Sequence, residues 1–200
     1  MLSEIYRAVF RPDQVRKRTI KRPTKAEIAA SRDRTIPDIL KRDLAVVFCG
    51  INPSLYSAAV GHHFARPGNR FWPALERSQF TPRLLSPSED RELLRYGCGL
   101  TNIVARATAR ADELSREELR KGAACLATKV KRLRPTCVTF LGITAYRQAF
   151  ERPKAKIGRQ EELIEGVPVW VLPNPSGLNA HYQVTDLARF LRRLRTGVRG

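Results

Sequence analysis

Three short apolar runs punctuate the chain, at 44–49 (LAVVFC), 136–141 (TCVTFL) and 167–172 (VPVWVL). Each is too short for a core helix and too apolar for a half-exposed strand, so each is predicted to be an inner strand of a sheet covered on both faces. Gly50 ends the first run and is followed by Ile51, Asn52 and Pro53; Gly142 ends the second and is followed by a predicted helix over 143–150. The repeated pattern implies parallel neighbours in one sheet. A further strand over 162–165 precedes the third run across Gly166. The third run leads directly into Pro173, Asn174, Pro175, Ser176, Gly177, Leu178 and Asn179. Two loops with an Asn-Pro pair thus lie beyond the carboxyl ends of inner strands, where open α/β sheets place their ligand sites, and are expected to face one crevice.

Helix starts are marked by capping boxes. Thr24 with Glu27 predicts a short helix over 25–31, Ser86 with Glu89 one from Pro87 to about residue 96, and Ser115 with Glu118 the longest, to 133, where Pro135 stops it. Asn69 is expected to cap a helix holding Phe71, Trp72 and Leu75 in the core. The last helix, over 185–195, puts Leu187, Phe190, Leu191 and Leu194 inward and Arg189, Arg192, Arg193 and Arg195 outward. Between these, 100–104 (LTNIV) reads as a short extended piece and 55–68 as a loop of small residues carrying His62, His63 and Phe64. Phe64 is a platform for a stacked base or an anchor in the core, and its spacing does not choose. The histidines lack partners at metal-ligand spacing and are read as polar loop residues.

Charge changes the picture. The 200 residues carry a formal net charge of +18, with arginine prominent, which points to a polyanion and above all to nucleic acid. Residues 1–41 are predicted to be a basic, partly flexible arm, with Arg16, Lys17, Arg18, Lys21, Arg22 and Lys25 close together, and 42–200 a single α/β domain. The arm reads as a tether for phosphates or as a solvated tail. No run is long enough for a membrane span and the amino terminus has no apolar signal segment, so no membrane is expected and the protein should stay inside the cell. Cys49, Cys98, Cys125 and Cys137 form no C-x-x-C pair and are read as reduced, with no metal. Charge alone would suit a noncatalytic DNA- or RNA-binding protein equally well. A nucleotide-binding enzyme is disfavoured because no G-x-G-x-x-G or P-loop is present.

Four segments taken together, GINPS at 50–54, PGNRFW at 67–72, CGLTNIV at 98–104 and LPNPSGLN at 172–179, resemble the mismatch-specific uracil-DNA and thymine-DNA glycosylases. The resemblance runs from about residue 34 to 195. RTIPDILKRDLAVV and GHHF look like the thymine-DNA branch, NPSGL like the bacterial mismatch-uracil branch. It implies a three-layer α/β/α uracil-DNA glycosylase fold around a mostly parallel sheet of about four to five strands. It also implies a catalytic Asn52 that holds the attacking water, with Ile51 beside it. Phe64 would stack on the extruded base, Ser57 would sense the position-5 substituent, and Asn174 to Ser176 would form the second pocket loop. Leu178 would be a wedge in the duplex, flanked by Gly177 and Asn179 that read the widowed guanine. Asn102 lies on the pocket side with its role open. Other branches of the superfamily carry a histidine in place of Asn174 and an aspartate in place of Asn52, so a modest catalyst is expected. Asn179 and Ala180 stand where the bacterial mismatch branch tends to have serine and arginine.

The expected activity follows. Uracil in a duplex is unreachable until its nucleotide turns out, which costs least for a mispair, so G·U is favoured over A·U. Asn52 can orient water through its carbonyl but hardly deprotonate it. Neither site loop contains lysine, so an imine is not expected and the product should be an intact abasic site. No cofactor is expected, and the partner is double-stranded DNA with mismatched uracil. The protein should act as a monomer, at the nucleoid if bacterial or in the nucleus if eukaryotic.

Overall fold

The computed structural model describes residues 20–199. Arg16, Lys17 and Arg18 of the basic arm lie outside the described residues. Five strands make one sheet: β1 (Val46–Gly50), β2 (Cys98–Asn102), β3 (Val138–Leu141), β4 (Gly158–Ile164) and β5 (Val167–Leu172), in the order β2-β1-β3-β5-β4. β1 pairs in parallel with β2 and β3, β3 pairs in parallel with β5, and β4 closes the edge antiparallel to β5. The strand expected at 162–165 is therefore longer, starting at Gly158, and forms a hairpin with β5 across Gly166.

Alternation along the strands divides the interior into two cores. Val46 and Phe48 of β1, Cys98 and Leu100 of β2, and Leu172 of β5 face one side. There they meet Phe71, Trp72 and Leu75 of a helix at Phe71–Arg77 and Leu187, Leu191 and Leu194 of a helix at Val184–Arg199. Cys49, Val138, Phe140, Val169 and Val171 face the other side, against Leu119, Leu126 and Val130 of a helix at Arg116–Leu133 and Tyr146 of a helix at Ile143–Ala149. The result is α/β in three layers, and each strand side chain so buried contributes about 1.5–3 kcal/mol. Numbered along the chain, the helices are α1 (Lys25–Ala29), α2 (Leu55–Val60), α3 (Phe71–Arg77), α4 (Arg116–Leu133), α5 (Ile143–Ala149) and α6 (Val184–Arg199).

All three capping boxes form at Thr24, Ser86 and Ser115. Three local expectations are corrected. The stretch expected to be loop from 55 onward begins with α2, because Ser54 accepts the Ser57 N–H as a side-chain cap and Gly61, left-handed at φ 75°, closes the turn. Arg70, not Asn69, is the cap residue of α3, although Asn69 Oδ1 still accepts the Phe71 N–H at 2.9 Å. The segment Pro87–Tyr96 is 3-10 rather than α, broken at Glu89. On α6, Arg192 and Arg195 face outward but are tied down: they donate to the carbonyls of Arg77, the last residue of α3, and of Gln79 just beyond it.

The described part of the arm, 20–41, packs increasingly on the domain. Ile36 and Ile39 are buried, Ile39 exchanges backbone hydrogen bonds with Leu100 of β2, and Asp33 and Arg34 bond the backbone of Ala107. Apolar residues spaced through this segment cover an otherwise open edge of β2.

Candidate active site

Beyond the carboxyl ends of β1, β3 and β5 lies a cleft of about 470 Å³. Gly50, Ile51, Asn52, Ser57, Phe64, Asn102, Asn174, Ser176, Leu178 and Asn179 all border it, so the structure brings nearly every residue singled out above to one place. Gly177 does not line it but packs beside Gly68. Two glycines allow the convergence. Asn102 and Phe64 close over Gly50, where a β-carbon would collide with Asn102 Oδ1 and touch Phe64 Cζ at 3.4 Å. At the end of β3 a β-carbon on Gly142 would lie 3.0 Å from Ile51 Cδ1 and 3.8 Å from Asn174 Cβ, so the two Asn-Pro loops meet over a residue without a side chain.

The orientation of Asn52 is set by hydrogen bonds. Its Nδ2 donates to the Arg106 carbonyl at 3.0 Å and to Thr108 Oγ1 at 2.7 Å, while Thr108 gives its own hydroxyl proton to the Arg110 carbonyl at 2.7 Å. A backbone carbonyl only accepts, so the amide nitrogen must face Arg106 and the carbonyl oxygen is left for the cleft. Arg106 is itself held by Glu118 and Asp33, and that pairing holds the Glu118 carboxyl down at about 2, far below its ordinary range. Asn174 is fixed the other way round: its Oδ1 accepts the Ser176 N–H at 2.9 Å, leaving the amide hydrogens without a partner among the described residues. The Asn102 side chain has no hydrogen-bond partner among the described residues.

Phe64 is anchored in the core and also reaches the cleft. Its ring stacks on Phe71 of the core at 4.2 Å and 29°, yet it borders the cleft from a left-handed backbone position at φ 52°. Ser57 is buried and spends its hydroxyl on structure, accepting from the Ala65 N–H and from Ser54, which ties α2 to the loop that carries Phe64. His63, also buried, donates from Nε2 to the Pro37 carbonyl, and burial pushes its pKa down. His62 and the His63 backbone share the carboxylate of Asp90. No group of His, Cys, Asp and Glu suited to a metal occurs among the described residues.

Five carboxamides, from Asn52, Asn69, Asn102, Asn174 and Asn179, line the cleft together with His63, Arg66, Arg110 and several hydroxyls. The one carboxylate among the described lining residues, Asp112, is exposed and paired with Arg110. Such a site can orient water and donate to an oxygen that gains charge, but it offers little proton affinity near neutral pH. Thr108 and Arg106, which aim Asn52, went unnoticed in the sequence. They lie more than fifty positions away from it, and nothing in their spacing signals the pairing.

A family model for the uracil DNA glycosylase superfamily matches residues 37–195. The fold is similar to the solution NMR structure of a candidate uracil DNA glycosylase from Methanosarcina acetivorans, with a TM-score of 0.56 and 18% identity, over 82% of this chain and 98% of that one. That degree of identity speaks for the fold alone. The family match spans most of the chain and contains both Asn-Pro loops and every other residue bordering the cleft except Ile36. The chain therefore belongs to the uracil DNA glycosylase superfamily, hydrolases that act on bases in DNA.

Proposed function

We propose that this protein is a monofunctional, mismatch-directed uracil DNA glycosylase that swings uracil out of a G·U pair and hydrolyses its bond to the sugar. The observation that carries this reading is the opposed fixing of two carboxamides in one cleft: Asn52 with its oxygen uncommitted, Asn174 with its amide hydrogens uncommitted. Cleavage builds positive charge on the sugar and negative charge on the departing base. Asn52 Oδ1 holds the water for the sugar, and Asn174 Nδ2 donates to a base oxygen. The Asn102 side chain, without a partner among the described residues, pairs with the base edge. Phe64 stacks on the base, and Ser57 bounds the side where a position-5 substituent would project.

Leu178, 70% exposed at the rim, fills the gap in the stack, and Gly177 and Asn179 present backbone to the widowed guanine. A mispaired uracil is the preferred substrate because extrusion costs it least. No lysine lines the cleft among the described residues, so no imine with the sugar forms and the abasic strand stays intact. The enzyme works as a monomer on genomic DNA inside the cell.

An end-labelled duplex with a single G·U pair tests the reading. Hot alkali after incubation should cut the strand at the former uracil, and omission of alkali should leave it whole. No cut would reduce the protein to a noncatalytic DNA binder, a cut without alkali would remove the monofunctional claim, and A·U cut as fast as G·U would remove the mismatch preference.

A further inference from the structure

The loop at 173–179 holds its own shape through local turns. Asn174 Oδ1 accepts from the Ser176 N–H, Ser176 Oγ from the Leu178 N–H, and Asn179 Nδ2 donates to the Asn174 carbonyl. Those bonds fix a turn but not where it stands relative to the cleft. Arg70 supplies the placement. Its backbone N–H donates to the Pro175 carbonyl at 2.9 Å, and its Nη1 donates to the carbonyls of Ser176 at 2.8 Å and Asn179 at 2.9 Å. The side-chain contacts fall on the two sides of Leu178. Gly177 backs onto the same stretch, so closely that a β-carbon there would lie 2.7 Å from the Gly68 carbonyl.

Arg70 also sits six positions after Phe64, next to the Phe71 ring on which Phe64 stacks. One short stretch therefore carries the stacking ring and grips the carbonyls around the exposed leucine. Leu178 has little packing of its own to hold it, and an unheld wedge would lose entropy on every insertion. A guanidinium suits the task because it is always charged and donates strongly to carbonyls in fixed directions. Among the described residues no carboxylate pairs with Arg70, so these carbonyls are its hydrogen-bond partners.

We infer that Arg70 is a positioning residue that sets the Leu178 wedge against the Phe64 platform, and that excision from duplex DNA depends on this clamp. The inference rests on the reading of Leu178 as a wedge. The test compares wild type, R70A, R70K, L178A and the R70A/L178A double variant, with G·U duplex as substrate. R70A should lower kcat/KM about tenfold in the wild-type background and less than about twofold when Leu178 is already gone. R70K should recover part of the loss. The salt slope of duplex binding should not change. Amide exchange at Ser176, Leu178 and Asn179 should speed up in R70A.

Equal losses in both backgrounds would overturn the clamp. So would a salt slope lower by about one, the mark of a lost phosphate contact, or unaltered exchange in the loop. If R70A does not fold, R70K carries the same comparisons. If wild type releases no uracil from any duplex, the functional reading falls, and amide exchange still decides whether Arg70 holds the loop.

Discussion

Asn52 and Asn174 present opposite ends of the same functional group to one cleft. Arg106 and Thr108 take the amide hydrogens of Asn52, and the Ser176 N–H takes the carbonyl of Asn174. Identical side chains thereby become an acceptor and a donor. Removing the acceptor by Asn52→Ala should cut uracil release about a hundredfold or more while duplex binding stays nearly intact. Steady-state turnover beside a gel-shift titration checks this, and undiminished turnover would take Asn52 out of the mechanism.

The orientation of Asn52 depends on Thr108, whose hydroxyl accepts from Asn52 and donates to Arg110. Thr108→Val keeps the volume and deletes both bonds. The variant should lose about tenfold in kcat with KM little changed, and about 1–2 kcal/mol in stability from the buried site. A wild-type kcat in Thr108→Val would show that Arg106 alone suffices to aim the amide.

Gly50 is where Asn102 and Phe64 come closest to the end of β1. In Gly50→Ala the new methyl displaces one or both from the base pocket, an overpacking that costs about 1–3 kcal/mol. Activity should fall about tenfold or more in a protein that still melts cooperatively. A fully active Gly50→Ala would mean that the base does not sit on this floor.

Leu178 is 70% exposed and buries little in the free protein, so Leu178→Ala should leave the melting temperature nearly unchanged. Its loss should appear on uracil in a duplex and much less on uracil in a single strand, if single strands are cut. Equal losses on both substrates would argue against insertion into the stack.

His63 carries a proton on Nε2 for the Pro37 carbonyl, and burial lowers its pKa below the ordinary 6.5 despite the opposing pull of that carbonyl, Asp90 and Asp38. The folded state thus prefers the neutral ring, and the unfolded chain takes up a proton more readily. The stability this contributes is complete above 6.5 and drains away as pH falls from 6.5 toward the folded value. Urea unfolding followed between about pH 5 and pH 8 should show a weaker slope below 6.5 in His63→Gln than in wild type. Parallel slopes would assign the acid sensitivity elsewhere.

Much of this molecule was legible in the order of its residues. The apolar runs at 44–49, 136–141 and 167–172 became inner strands because the backbone alternation that buries them on two faces is local, as are the serine and threonine caps at 24, 86 and 115. The Asn-Pro pairs announced two loops beyond strand ends, and the sheet brought them to one cleft. Less visible were α2, six residues without a strong helical period that a serine cap and a left-handed glycine delimit, and the 3-10 path of 87–96, broken at Glu89.

What the sequence by itself determined was the sheet, the loops that leave it, and the charge that calls for a polyanion, since all three follow from the kind and spacing of neighbours along the chain. Only the tertiary structure decided which end of Asn52 meets the cleft, that the segment from Asp33 to Ile39 supports β2 and the Thr108 loop, and that Arg70 holds the loop of Leu178. Each is a hydrogen bond between groups remote in sequence. Such a bond leaves no periodicity to read, because its geometry exists only once the layers have closed.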